Sequence, residues 1–217
     1  MLLGCDDGAD IPAVPVESGP VQLGIAAPEC PSGPLPREFE QTLPRNGAHD
    51  RNLMTTAVLV ETNRARCSEG RRPLIANAPL QQAAGLHSQD MARLGFFDHA
   101  SPVPGRETLA SRVTQVGFRF QTVAENIIEA RYMAYENGRQ YQIVDPVRCA
   151  FAYANGDVIP PQTYASFALE VVQRWMESPG HRANLLNPAV REHVFALAPN
   201  RDTSLCGGIY ATQVLAR

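Results

Sequence analysis

The stretch Trp175-Met176-Glu177-Ser178-Pro179-Gly180-His181-Arg182-Ala183-Asn184-Leu185-Leu186-Asn187 constrains this chain more than any other. Upstream of it, Phe167, Val171 and Trp175 recur at i, i+4 and i+8, the spacing of an amphipathic helix over about Tyr164 to Glu177. Pro179-Gly180 stops that helix, and a His and an Arg follow at once. An imidazole just past a helix stop points off the helix end, where a pocket is easily built. His181 is therefore a site candidate, with a helix-terminal cation as the plainer alternative. Trp175 is the anchor its helix needs in a core. Two short elements gain weight beside this one, Phe96-Phe97-Asp98-His99 and Ala124-Glu125-Asn126-Ile127.

Periodicity places further elements. Asp50 is an N-cap for a helix running to about Cys67, closed by Gly70 and Pro73. A second helix runs from about Pro79 to Leu94 with His87 on its apolar stripe, ending at Gly95; a third spans about Thr108 to Val116 and stops at Gly117. Strands are expected at Glu192 to Leu197 and Gly208 to Ala216, joined by Pro199-Asn200-Arg201-Asp202. In the second, Tyr210 and Gln213 alternate with Ile209 and Thr212. Between Ile128 and Gln162 the pattern changes. Asn137-Gly138 within Met133 to Ile143, and Asn155-Gly156 between Phe151-Ala152-Tyr153 and Val158-Ile159, predict one or two hairpins. Helices with strands between and after them imply an α/β arrangement with helices on both faces of a mixed sheet.

Composition narrows the function classes. The net charge is −3, and no basic run interleaves with aromatics, so nucleic acid is not an expected partner. No stretch reaches the roughly 18–20 apolar residues of a membrane-spanning helix. Leu2-Leu3-Gly4-Cys5 resembles the end of a bacterial lipoprotein signal, with Cys5 as the lipidated residue, although the usual basic and apolar regions do not precede it. Residues 6–46 are rich in Pro and Gly and read as a tether. If Cys5 carries lipid, Cys30, Cys67, Cys149 and Cys206 remain, an even set suited to two disulfides in an oxidising compartment, with three pairings open.

The order of several motifs resembles a known family. Asn63-x-x-Arg66, Gly70, Pro73-Leu74, Leu80, Ala84, His87-Ser88-x-Asp90-Met91, Phe97-x-His99, Ser101-Pro102, Gly105, Arg112 and Gly117 lead into Ala124-Glu125-Asn126-Ile127. The Trp175 to Leu186 run and Tyr210-x-Thr212-Gln213 complete the pattern. Together, over about residues 53–217, they are similar to the bacterial branch of the CAP superfamily of cysteine-rich secretory proteins, antigen 5 and pathogenesis-related 1. The resemblance implies a three-layer α-β-α sandwich with a mixed, mainly antiparallel sheet, here occupying residues 47–217 with an insertion at about 129–162. It also implies an exported protein, and a cavity lined by His99, Glu125 and His181, with Tyr210 where eukaryotic members place a second His. Ser178 stands where those members place a second Glu, with Glu177 one residue earlier, so the cavity set is reduced.

Two imidazoles and a carboxylate suit zinc or another divalent cation, leaving one position for water. Glu125 would alternatively orient one imidazole, and a metal-free His–Glu pair would serve as a general base. No Gly-x-Ser-x-Gly elbow or His-Glu-x-x-His helix is present, and no spacing marks Ser101 or Ser178 as a nucleophile. The expected function is an extracytoplasmic, membrane-tethered binding module for a lipid-like molecule, a cell-wall component or a protein. A zinc-dependent hydrolase built on His99, His181 and Glu125 is the alternative.

Overall fold

The computed structural model describes residues 28–45, 47–200 and 204–217. The expected lipidation residue Cys5, the first part of the expected tether, and Arg201 and Asp202 of the last turn lie outside the described residues.

The central sheet has four strands in the order β1-β6-β7-β2, with β1 Ile75–Ala76, β2 Val123–Arg131, β6 Glu192–Pro199 and β7 Gly208–Ala216. Only the β1–β6 pair is parallel. Along β6, Val194 and Ala196 join one buried cluster while Phe195 and Leu197 join another. Side chains alternate across a strand, so both faces are covered, which is why β6 and β7 are nearly continuous apolar runs. On one face lies α2 (Ala78–Leu94) with α3 (Leu109–Gln115); on the other lie α1 (Arg51–Ser68) and α4 (Tyr164–Glu177). The result is the expected three-layer sandwich.

The helices begin where short polar side chains satisfy their first amides. Asp50 Oδ1 accepts from the Asn52 and Leu53 amides, and Asn77 caps α2. Thr108 and Thr163 form capping boxes with Ser111 and Ser166. Gly95 closes α2 in the left-handed conformation at φ 71°, which glycine adopts without penalty.

Three expectations need correction. Pro179-Gly180 ends α4, but it also begins another helix, α5 (Pro179–Leu185), because proline is favoured in a first turn. Ala124-Glu125-Asn126-Ile127 lies inside β2. Asn137-Gly138 does not turn a hairpin. Residues 135–139 form a loop pinned by aromatic hydroxyls: Tyr135 donates to the Arg139 carbonyl, and Tyr153 accepts the Glu136 amide. The hairpin instead joins β3 (Tyr141–Asp145) to β4 (Ala150–Tyr153), where Asp145 Oδ1 accepts the Val147 and Arg148 amides. At Asn155-Gly156, β4 does turn into β5 (Val158–Ile159) as expected.

The last correction concerns the proline-rich lead. Its described part is no free spacer, because Phe39 and Leu43 are buried among α1 and α4 residues. Leu43 N donates to the Gln162 carbonyl, and Cys30 is bonded to Cys67. The second disulfide, Cys149–Cys206, ties the inserted three-stranded sheet β3-β4-β5 to the segment entering β7. Among the described residues no helix is long and apolar enough to cross a membrane.

Candidate functional site

Glu125 is the electrostatic centre of the site. It lies on β2 with its side chain 3% exposed, and both its oxygens accept from Arg112 Nη2, at 2.9 and 2.7 Å. Arg112, on α3, is fully buried; its Nη1 donates to the His99 and Arg106 carbonyls. His99 Nδ1 stands 2.9 Å from Glu125 Oε1. An ionised carboxylate only accepts, so Nδ1 carries the proton and donates to it. His87 is the third neighbour, its Nε2 3.8 Å from Glu125 Oε1 and 3.0 Å from the Asp98 carbonyl.

The charges set one another. Burial pushes the Glu125 carboxyl up, but the His99 hydrogen bond and the Arg112 guanidinium outweigh it and hold Glu125 below the ordinary value. His99 is raised, chiefly by its hydrogen bond to Glu125. His87 is lowered, first by burial. His181 is lowered by burial and then by the nearby His99.

A cavity of about 890 Å³ opens in front of this group. His99 and His181 line it together with Phe97, Trp175, Ser178 and Glu170. Glu125 sits behind His99 and lines a separate hollow of about 480 Å³. Tyr210 does not line the main cavity; its ring stacks on Phe97 at 5.6 Å and so backs the wall. Thus His99 and His181 meet at one hollow, Glu125 reaches it through His99, and Tyr210 through Phe97.

His181 is positioned by a chain of amides. Asn126 Nδ2 donates to the His181 carbonyl and to Gln213 Oε1, and Gln213 Nε2 donates to Thr62 Oγ1. Asn184 Nδ2 donates to the Glu125 carbonyl and to Asn126 Oδ1. Arg66, fully buried, donates to the Leu185 and Asn187 carbonyls at the far end of α5. Asn63 exchanges hydrogen bonds with the Leu74 backbone. The Asn63-x-x-Arg66 spacing therefore holds structure rather than ligand.

Several contributors escaped the sequence reading. His87, on the apolar stripe of α2, is buried and also faces Glu125. Arg112 was visible only as part of a motif; the signal for it was an arginine beside Val113 on a short helix that must bury a face. A carboxylate at the cavity wall comes from Glu170 on α4, hydrogen-bonded to Gln162 and 3.3 Å from Arg174, while Glu177 lines a different hollow. Glu170 and Arg174 flank the Phe167, Val171, Trp175 stripe at an i, i+4 spacing, which was the available clue. The insertion adds Tyr135 and Asn137 to the cavity rim.

A zinc centre with Glu125 as ligand does not fit this donor set. The carboxylate is saturated by a buried guanidinium, which would repel a second cation, and His99 presents Nδ1 to that same carboxylate. Among the described residues no group of three or more His, Cys, Asp or Glu side chains is arranged to hold a metal ion.

Comparison with known proteins agrees with this architecture. The chain is 31% identical over 127 residues to YkwD, an uncharacterized protein of Bacillus subtilis; the match covers 58% of this chain and 35% of that relative, so the chain spans about a third of its length. The fold is similar to that of an extracellular SCP-domain protein of Bacillus anthracis (TM-score 0.52, 24% identity, covering 86% of this chain and 45% of that one). It is also similar to an outer surface protein of Borrelia burgdorferi (TM-score 0.51, 14% identity, covering 77% and 96%). The family model of the cysteine-rich secretory proteins matches residues 59–215, and with the sandwich, the β2 glutamate and the Pro-Gly-His helix start in place, this chain belongs to the CAP family.

Proposed function

We propose that this protein is an extracytoplasmic binding module whose main cavity receives a small amphipathic component of the cell envelope. The observation that carries this reading is the cavity itself. About 890 Å³ in volume, it combines an aromatic and aliphatic lining (Phe97, Ile127, Trp175) with the two imidazoles His99 and His181 and the Glu170–Arg174 pair. Such a surface suits a ligand with an apolar body and a polar head. An oxidising compartment suits the disulfides Cys30–Cys67 and Cys149–Cys206.

The role of Glu125 in this reading is orientation. It accepts the His99 Nδ1 proton and so fixes the orientation of that ring at the cavity wall, and Arg112 keeps the carboxylate ionised while it does so. The reading needs no metal and routes no step through one. Hydrolysis is less well supported, because no Ser or Cys side chain among the described residues is hydrogen-bonded to His99 or His181. Ser101 is buried, with its Oγ accepting the Val103 amide. A lipid anchor at Cys5 would place the module at a membrane surface, and incorporation of labelled palmitate tests that separately.

Trp175 is the chain's one tryptophan and lines the cavity, so its fluorescence reports occupancy. Titration of the exported chain with short-chain phospholipids and with soluble muropeptides should give saturable quenching by one of them, lost in His181→Ala. Absence of any response to both, with the fold intact, contradicts the proposal.

A further inference from the structure

Backbone strain in this chain is gathered at one disulfide. Among the described residues, Cys149 (φ 57°), Leu205 (φ 44°) and Cys206 (φ 64°) are the only non-glycine residues in the left-handed region. L side chains enter that region at a cost, and a bulky one such as leucine rarely does. Two of the three are the bonded cysteines of Cys149–Cys206, and Leu205 adjoins one of them. In the other disulfide, Cys30–Cys67, neither cysteine lies in that region. Strained backbone persists only where its surroundings hold it, and it collects at clamps and switches.

The same bond is a covalent anchor for the inserted sheet. Where the insertion leaves and rejoins the sandwich, Ala134 N donates to the Pro160 carbonyl and Gln162 N to the Tyr132 carbonyl. Cys149–Cys206 adds a tie from the start of β4 to the segment entering β7, and Leu205 is buried with Met133, Phe151, Tyr153 and Ile159. β4 in turn supports the cavity rim. Tyr153 Oη accepts the Glu136 amide, and the Arg139 guanidinium lies 3.6 Å over the Tyr153 ring. Tyr135, stacked on Tyr153, lines the cavity with Asn137. A continuous path of contacts therefore runs from the disulfide along β4 to the 135–139 loop.

We propose that Cys149–Cys206 is a reducible latch: a dithiol that opens it frees β4 from the entry to β7 and loosens the Tyr135–Asn137 rim of the cavity. A thiolate of the dithiol attacks one sulfur, breaking the S–S bond and forming a mixed disulfide. Its second thiol then displaces the remaining cysteine and closes the reductant into its own disulfide. Two electrons and two protons pass to Cys149 and Cys206, which end as thiols. Once the bond is cut, the backbone at both ends can leave the left-handed region, and that relief favours the open form. Strained disulfides are the labile, regulatory ones, whereas Cys30–Cys67 has no such release to drive its reduction. The effect on binding presupposes the ligand cavity proposed above.

Equilibrium reduction of the full chain, carrying Cys5→Ser to keep that thiol out of the exchange, tests the latch. The chain is held in buffers of reduced and oxidised dithiothreitol, trapped by alkylation, and each cysteine is read by mass spectrometry. Cys149–Cys206 should open at a reduced-to-oxidised ratio at least tenfold lower than Cys30–Cys67, and because populations are compared at equilibrium, the exposure of Cys30 does not bias the result. In the selectively reduced chain, hydrogen exchange of the Glu136 and β4 amides should quicken at least tenfold while the β6 and β7 amides stay protected. Trp175 quenching by short-chain phospholipid or soluble muropeptide should then need at least tenfold more ligand. A Cys149–Cys206 bond as hard to reduce as Cys30–Cys67, exchange at Glu136 unchanged by reduction, or equal affinity in the two states overturns the proposal. Quenching by neither probe in either state contradicts the cavity reading instead, since reduction order and exchange are read without a ligand.

Discussion

Replacing Glu125 by leucine removes the carboxylate on which the site is built and leaves Arg112 behind. The guanidinium is fully buried, the carboxylate is 3% exposed, and the contacts broken are 2.9 and 2.7 Å long. The His99 and Arg106 carbonyls still accept from Arg112, but no negative charge remains to balance it. Orphaning one member of a buried ion pair costs about 3–5 kcal/mol. For a domain of this size that lowers the melting temperature by roughly 6–20 °C. The double variant Glu125→Leu with Arg112→Met removes both charges, so its loss should be well below the sum of the single losses. Urea unfolding followed by Trp175 fluorescence and circular dichroism, with the disulfides intact, measures all four corners of the cycle. A single-variant loss under about 1 kcal/mol, or strict additivity, would refute the claim that Glu125 acts as the buried partner of Arg112.

The amide chain beneath α5 should show in Asn184→Ala, which loses donors to the Glu125 carbonyl and Asn126; about 1–2 kcal/mol of stability should go, measured by urea midpoint, together with part of the ligand-induced quenching. His193 is fully buried, neither ring nitrogen has a partner, and burial pushes its imidazole down from 6.5 to about 3. Below pH 6.5 the unfolded chain takes up a proton that the folded chain refuses until about pH 3, so stability is lost across that window as pH falls. His193→Leu should flatten this acid limb in a melting series over pH. The Glu125 carboxyl works in the same direction lower down: its folded value lies below the ordinary one, so its contribution is present above the ordinary carboxylate range and lost as pH falls through the depressed value. Cys206→Ser opens a loop spanning 57 residues, worth about 4 kcal/mol in the chain-entropy account, and limited proteolysis should then cut within 133–160 before the sandwich unfolds.

The sandwich was legible because its signals are local. Asp50, the apolar stripe of α2, Gly95 and the Phe167, Val171, Trp175 spacing each specify their element without help from distant residues. The strands were harder, since β2 and the short β1 depend on pairing with β7 and β6, and pairing leaves little mark on a single strand. Asn137-Gly138 misled for the same reason: its turn chemistry is real, with Gly138 at φ 83°, but the hydroxyls of Tyr135 and Tyr153 decide where the chain goes next. At the site, the motifs located His99, Glu125 and His181. They could not show that Arg112 saturates the carboxylate, because that fact belongs to an ion pair between α3 and β2. Phe39 and Leu43 look like ordinary residues of a proline-rich stretch until the surface they cover is known.

The central claim is that Glu125 orients and charges His99 at the mouth of a cavity shared with His181. Titration of the individual imidazoles by nuclear magnetic resonance, in the wild-type chain and in Glu125→Gln, tests it most directly. The account predicts that His99 titrates above the ordinary histidine value and His181 below it, and that Glu125→Gln brings His99 down. Two imidazoles titrating alike at the ordinary value, and unmoved by Glu125→Gln, would contradict it.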